Sequence, residues 1–226
     1  MNIEMEKIGM DPKERIARRV AQEIVPGTLV NLGVGLPSMV ANYVPAERGV
    51  FFQAENGVIG LGARPPEGME DKDLTDAGGG FVTAVPGAAS IDSAMSFGLI
   101  RGGHLDMTVL GGLEVDENGH LANWKVPGKM VPGMGGAMDL VAGARRVVVA
   151  MQHSARGASK IVPVCTLPLT AARRVDLIVT DLAVIRPGED GLTLVERAPG
   201  VSVDAIVEAT TAHLNVPDNV PEMRLD

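Results

Sequence analysis

A carboxylate that is already ionised at neutral pH can attack an activated carbonyl with no neighbouring base, provided that nearby N–H groups meet the oxyanion that develops. Glu55 suits that chemistry. It closes the run Val50-Phe51-Phe52-Gln53-Ala54-Glu55-Asn56-Gly57, in which residues 50 to 52 read as a buried β-strand and Asn56-Gly57 as the turn that halts it. The tip of a strand is where an open α/β sheet presents its reactive groups. Gly57, Gly60 and Gly62 follow, so backbone can lie close to Glu55 or to a ligand with no Cβ in the way. On spacing alone the plainer reading is a glutamate that closes an edge hairpin, ion-paired or solvated.

A second signal is the glycine-dense bend Met130-Val131-Pro132-Gly133-Met134-Gly135-Gly136-Ala137-Met138-Asp139, which leads into a helix predicted near 137–145. Backbone N–H groups at such a bend can bind an anion or an oxyanion. The alternative is a close-packed turn in which glycine only avoids a clash. Paired with Glu55, the bend would complete a covalent site for a thioester. The carboxylate displaces the thiolate to form an acyl-glutamyl anhydride, and the thiolate then attacks the glutamyl carbonyl and releases the acid. A second acid runs the steps backwards and conserves the thioester as long as water is kept out, with ping-pong kinetics.

Other chemistries lack their marks. Gly33-Val34-Gly35 opens a dinucleotide fingerprint, but Ser38 stands at its third glycine. No GxxxxGK[ST], GxSxG or HExxH pattern occurs, and no ligand cluster for a metal is visible. His104, His120, His153 and His213 lie far apart and read as structural or exposed, with His104, after Arg101-Gly102-Gly103, the one to test. Cys165 is the only cysteine, so no internal disulfide forms, a reducing compartment is implied, and the thiol reads as packing. The 20 basic against 28 acidic residues, net −8, oppose nucleic-acid binding, and aromatic residues at 3% leave no stacking platform for bases. The amino terminus lacks a signal-peptide core and no apolar run is long enough to span a membrane, which predicts a cytoplasmic protein.

The elements that would hold these residues follow from the pattern. At 226 residues, 46% hydrophobic and 21% charged, the chain suits a single α/β domain with a core of Val, Leu, Ile, Ala and Met. Asp11-Pro12-Lys13-Glu14 caps an amphipathic helix over about 12–25, marked by Ile16, Val20 and Ile24. A strand at 28–32, a bend at Gly33-Val34-Gly35-Leu36-Pro37 and a helix near 38–43 continue the α/β grammar. Further strands are expected at 107–110, 146–151 and 175–180, with a hairpin turn at Asp116-Glu117-Asn118-Gly119, in an open, mainly parallel but mixed sheet. Residues 63–80, rich in Pro, Gly and acid, should form an exposed loop beside the Glu55 bend, and 217–226 a loosely held tail.

Four segments carry a resemblance that covers nearly the whole chain: VNLGVGLPSMVANYVP (30–45), AENGVIGLG (54–62), IRGGHLDMTVLGGLEVDENGHLANWKVPGKMVPGMGGAMDLV (100–141) and CTLPLTAARRVDLIVTDLAVI (165–185). They resemble the β (B) subunit of the 3-oxoacid CoA-transferases, class I enzymes, and the form PGKMVPGMGGAMDL is closest to the succinyl-CoA:3-ketoacid type rather than the 3-oxoadipate type. The resemblance implies that Glu55 is the nucleophile that becomes a glutamyl-CoA thioester, and that Gly135 and Gly136, with Asn56 and Gly57, surround the oxyanion and thioester. It places Gly33, Gly35, Ala54 and Ala89 near the substrate pocket. It also implies coenzyme A as substrate and covalent intermediate with no permanently bound cofactor, acyl-CoA and carboxylic-acid substrates, and a separate α (A) subunit in a hetero-oligomer. Ala54 replaces the family's common Ser, Gly62-Ala63-Arg64-Pro65 replaces a GPYP-like stretch, and residues 87–96 replace a more aromatic and acidic pattern. The first two predict that the loop after Glu55 accepts a different acid, and the third predicts a roomier or more apolar acyl pocket. A 3-oxoadipate or acetate/butyrate-type CoA-transferase subunit, an acyl-CoA hydrolase and a non-catalytic ligand-binding protein on the same scaffold are the alternatives.

Overall fold

The computed structural model describes residues 9–128 and 135–225, so Met130 to Met134 of the glycine-dense bend lie outside the described residues. In chain order the strands are β1 (Leu29–Leu32), β2 (Phe51–Ala54), β3 (Val58–Leu61), β4 (Ala84–Ser90), β5 (Met107–Leu110), β6 (Glu114–Asp116), β7 (Leu121–Ala122) and β8 (Arg146–Ala150). They continue with β9 (Ser154–Ala155), β10 (Ala158–Ser159), β11 (Ile161–Val162), β12 (Leu177–Val179), β13 (Ala183–Gly188), β14 (Gly191–Arg197) and β15 (Leu214–Asn215). The α-helices are α1 (Pro12–Ala21), α2 (Ser93–Arg101), α3 (Ala137–Gly143) and α4 (Val203–Ala209), and 3-10 turns cover Pro37–Tyr43 and Ala46–Arg48.

Among the described residues, ten strands form one mixed sheet in the order β15-β14-β13-β12-β8-β5-β1-β2-β3-β4. Its centre, β12-β8-β5-β1-β2, is parallel, while β3 and β4 on one side and β13 on the other run antiparallel to their neighbours, and β14 pairs antiparallel with β13 but parallel with β15. Runs such as Met107–Leu110 and the Val-rich Val147–Ala150 are buried along their whole length, as expected of parallel strands covered on both faces. The covering helices divide by side-chain parity. Thr108 pairs in register with Val147, so Arg146 points to the other face, where it pairs with Glu23 just beyond α1. The face that carries Thr108 is covered by α2 and α3, which pack on each other.

The first helix begins as its sequence dictates: Asp11 Oδ1 accepts from Lys13 N at 2.7 Å and Glu14 N at 3.3 Å. It ends at Ala21 rather than 25, because the next N–H groups, of Glu23 and Ile24, bond three residues back to Val20 and Ala21 and tighten the chain into a turn. Ile24 still reaches the core at 1% exposure, which is why the apolar period ran past the helix. Arg19 holds α1 to β14 through a two-pronged pair with Glu196, 2.6 and 2.8 Å.

Two expectations are corrected. The strand before Glu55 is not buried throughout: Phe51 is 37% exposed, and burial is concentrated at Gln53 and Ala54. The segment after Pro217 is docked rather than loose. Arg197 N donates to Pro221 O, Met223 N donates to Arg197 O, Met223 packs into the core, and Gln22 Nε2 donates to Arg224 O.

Among the histidines, His153 is fully buried between Thr180 and Thr210. His153 Nε2 lies 2.9 Å from the Thr210 hydroxyl and Nδ1 3.0 Å from the Thr180 hydroxyl, and these hydroxyls also donate to Ile206 O and Ala183 O. Burial of this neutral ring pulls its pKa from 6.5 down to about 4. Because the folded value lies below the unfolded one, the contribution is complete above pH 6.5 and is lost as pH falls through about 4, roughly 3 kcal/mol in all. The Tm should therefore drop as the buffer moves from pH 7 to pH 4.5, and His153→Gln should flatten that slope; equal slopes in calorimetry would contradict it.

Candidate active site

The turn after β2 brings Glu55 out of the sheet. Gly57 N donates to Ala54 O at 3.0 Å, so Glu55 and Asn56 occupy the two central positions of a tight turn between β2 and β3. Gly57 is required there twice over. Its φ of +117° lies outside the range of L side chains, and an added Cβ would collide with the Ile91 carbonyl oxygen. Ile91 N in turn donates to Gly57 O at 2.9 Å, which fastens the turn to the chain entering α2.

Beneath the half-buried Glu55 lies a row of uncharged polar side chains. Asn31 on β1 is in register with Gln53 on β2 and with Thr108 on β5, so three neighbouring parallel strands present one polar residue each at the same level. All three are 0–1% exposed, as is Ser96 of α2 above them. Asn31 Nδ2 lies 3.1 Å from Glu55 Oε2 and 3.1 Å from Gln53 Oε1, Asn31 Oδ1 accepts from Thr108 Oγ1 at 3.1 Å, and Gln53 Nε2 donates to Ser96 Oγ at 2.8 Å. A buried polar group without a partner is costly, so this row is tolerated because its members satisfy one another. One amide N–H is thereby directed at one oxygen of the Glu55 carboxylate.

The glycine pair reaches the same place from 81 residues away along the chain. Gly136 is the residue from which α3 starts, no side chain caps that start, and its φ of −87° is open to any residue. Space is what restricts it. A methyl on Gly136 would sit 3.3 Å from Glu55 Cγ and 3.4 Å from the Phe97 ring, so backbone here lies directly against the carboxylate side chain. Gly135, exposed with φ +53°, precedes it. Phe97 belongs to α2, and Arg101 of α2 pairs with Asp139 of α3 at 2.7 Å, so the two helices that frame Glu55 are tied together.

The remaining expected site residues border this centre in different ways. Ala54 is 3% exposed and contributes its carbonyl to the turn. Asn56 is exposed and donates Nδ2 to Thr75 O at 2.8 Å, which anchors the 63–80 loop to the turn. That loop is organised by Asp76, which accepts from Gly78 N and Gly80 N at 2.8 Å each, and Gly78 packs against Val34 in the bend that leaves β1. Gly33 and Gly35 form the same bend. The Gly33 N–H is committed to Val109 O at 2.8 Å, and Gly35 takes φ +86°. Ala89 lies on β4, exposed and opposite Ile59, one strand beyond the Glu55 turn.

Asn31, Gln53, Thr108 and Ser96 escaped sequence reasoning. Each β-strand member is the lone polar residue in a short apolar strand, LVNL, FFQA and MTVL, and that was the available signal. His104 is exposed and precedes β5, at the end of the sheet opposite the Glu55 tip. The Cys165 thiol is pushed up to about 12 by burial and by Asp116 and Glu114, which leaves it protonated and unreactive at neutral pH. Among the described residues no group of three or more His, Cys, Asp and Glu is placed to hold a metal, and no helix is long and apolar enough to cross a membrane.

A family model described as coenzyme A transferase matches residues 13–209. The beta subunit of the acetate CoA-transferase of Escherichia coli K12 is 53% identical over 218 residues, 96% of this chain and 100% of that protein. The B subunit of a probable succinyl-CoA:3-ketoacid coenzyme A transferase of Bacillus subtilis is 49% identical, over 93% of this chain and 98% of its own. Among solved structures, an acyl-CoA transferase from Escherichia coli O157:H7 matches at TM-score 0.77 and 24% identity, covering 95% of this chain and 43% of that one. A decarboxylase matches at TM-score 0.72 and 24% identity, over 96% of this chain and 90% of its own. At that identity the structures speak for the fold alone, and the fold by itself leaves the chemistry open.

Proposed function

The chain belongs to the coenzyme A transferase family, and on that premise we propose that it carries the nucleophile of an enzyme that moves CoA between carboxylic acids through a glutamyl-CoA thioester on Glu55. The observation that supports this most is the placement of one carboxylate at a strand tip, donated to by Asn31 at 3.1 Å and lying against the Gly136 backbone.

In this reading Asn31 holds Oε2 and leaves Oε1 to attack the thioester carbonyl carbon. The tetrahedral oxyanion collapses with cleavage of the C–S bond, giving the acyl-glutamyl anhydride and the CoA thiolate. The thiolate attacks the Glu55 carbonyl carbon, the bond from that carbon to the bridging oxygen breaks, and the first acid leaves as its carboxylate, carrying that oxygen. An acceptor carboxylate then repeats both steps in reverse order. No proton is gained or lost, which suits a site whose neighbours are amides and hydroxyls rather than a histidine. The backbone N–H groups of Gly135 and Gly136 are assigned to the oxyanion, and the turn at Asn56-Gly57 to the thioester. Gly33, Gly35, Ala54 and Ala89 are assigned to the border of the substrate pocket.

The substrates are a succinyl-CoA-like donor and an acetoacetate-like 3-oxo acid, the pair to which the PGKMVPGMGGAMDL form points. Relatives named for acetate and for succinyl-CoA with a 3-ketoacid stand at similar identity, 53% and 49%, so acetate is the competing acceptor. Because those relatives are themselves named as single subunits of their enzymes, a partner α (A) subunit in a hetero-oligomer is part of the proposal, as is a cytoplasmic location.

Hydrolysis is the second reading, and acceptor dependence separates the two. With the cognate partner co-expressed, succinyl-CoA should be consumed beyond one equivalent of enzyme only when acetoacetate or another acceptor acid is added, with free thiol near background. Stoichiometric thiol release without an acceptor would make the enzyme a hydrolase.

A further inference from the structure

We propose that Thr108 is a positioning residue for the nucleophile, acting on Glu55 through Asn31; this deepens the reading of Glu55 as the attacking carboxylate and rests on it. A primary amide can lie in either of two orientations that exchange its oxygen and its NH₂, and only its partners decide between them. On one side Asn31 faces acceptors only: Glu55 Oε2, Gln53 Oε1 and the Gln53 carbonyl oxygen, each at 3.1 Å from Nδ2. On the other side it meets the Thr108 hydroxyl, which donates to Oδ1 at 3.1 Å. Both residues are 0% exposed, so water offers no substitute partner.

The register explains why this contact exists. Asn31 and Thr108 are direct neighbours on parallel strands, which puts the hydroxyl level with the amide on the same face. Thr108 lies beyond Asn31 from Glu55, so its effect on the carboxylate passes through the amide. Without the hydroxyl, Asn31 Oδ1 is left buried with no donor. The amide then rotates away from the geometry in which Nδ2 meets Glu55, and the carboxylate loses the one hydrogen bond that it receives among the described residues. The far end of the row is closed in the same manner, where Ser96 Oγ accepts from Gln53 Nε2 and turns Gln53 Oε1 toward Asn31.

Two substitutions separate positioning from simple packing. Thr108→Val keeps the shape and removes the donor, whereas Thr108→Ser removes a methyl group and keeps the donor. In the assembled enzyme, Thr108→Val should lower kcat by about 10²-fold or somewhat less, the scale of an ångström-sized misplacement, with KM for acyl-CoA nearly unchanged. Thr108→Ser should restore most of the rate. A crystal structure of the assembled Thr108→Val enzyme should show the Asn31–Glu55 hydrogen bond broken, a readout that does not depend on CoA transfer being the reaction. Wild-type kcat in Thr108→Val, equal losses in Val and Ser, or an intact Asn31–Glu55 bond in the Val structure would each overturn the proposal. If the wild-type enzyme transfers no CoA, the reading of the site fails separately and the structural result alone decides the role of Thr108.

Discussion

Glu55→Gln should abolish CoA transfer and leave the fold and its assembly intact. The glutamine is nearly isosteric, and its side-chain oxygen can keep the hydrogen bond that Asn31 Nδ2 now gives to Oε2. The packing against Gly136 involves Cγ, which does not change. What is lost is the anionic oxygen that attacks the thioester in the proposed reaction, because an amide oxygen is a far weaker nucleophile. Removal of a covalent nucleophile lowers turnover by roughly 10⁴- to 10⁶-fold. Turnover of succinyl-CoA with acetoacetate, measured beside the Tm and the oligomeric state, checks this. A variant with full activity would remove the mechanism, and one that fails to assemble would show Glu55 to be structural.

The second large effect is expected at Gly136. Its backbone angles accept alanine, so Gly136→Ala should fold normally. The added methyl, however, falls 3.3 Å from Glu55 Cγ on one side and 3.4 Å from Phe97 on the other. Phe97 is held by its own helix, with Arg101 over its ring and paired to Asp139, so the carboxylate is the group that gives way. The Glu55 side chain then shifts by roughly a few tenths of an ångström, less than the ~1 Å misplacement that costs about 10²-fold, so Gly136→Ala should lower kcat by about 10-fold and Gly136→Val by more. The check is kcat for both variants at saturating acyl-CoA, with Tm as the control. Alanine at the wild-type rate would place the oxyanion and the reacting carbonyl elsewhere.

The parts of the molecule that were legible in the sequence are those where one strand or one helix carries its own signal. Asp11 and Pro12 mark the start of α1, and the all-apolar surroundings of Thr108 mark β5 over 107–110. The Asn56-Gly57 turn placed Glu55 at a strand tip. Other elements had no such signal. The edge strand β4 carries Pro86 and Gly87 and is largely exposed, so neither propensity nor alternation announced it. The helix after it, α2, has only Ser96 and Ile100 buried, too few for a periodic stripe.

The site shows the same division more sharply. That Glu55 could act as a nucleophile was readable from its place before a turn, but its pairing with Gly136 came from family resemblance, since no local rule joins residues 81 positions apart. The polar row was illegible for a different reason. Asn31, Gln53 and Thr108 each look like a blemish in a hydrophobic strand until the parallel register aligns them under the carboxylate. Register is a property of pairs of strands, and a window moved along one chain does not contain it.

The proposed mechanism requires a covalent bond between Glu55 and CoA, and that bond can be weighed. The assembled enzyme, this chain with its partner subunit, is incubated with succinyl-CoA or acetoacetyl-CoA and no acceptor, then examined by intact and peptide mass spectrometry. The prediction is a gain of one CoA less one water, carried on the peptide that contains Glu55, discharged by added acceptor acid and absent from Glu55→Gln. Turnover with no such adduct, or an adduct at another residue, would contradict it.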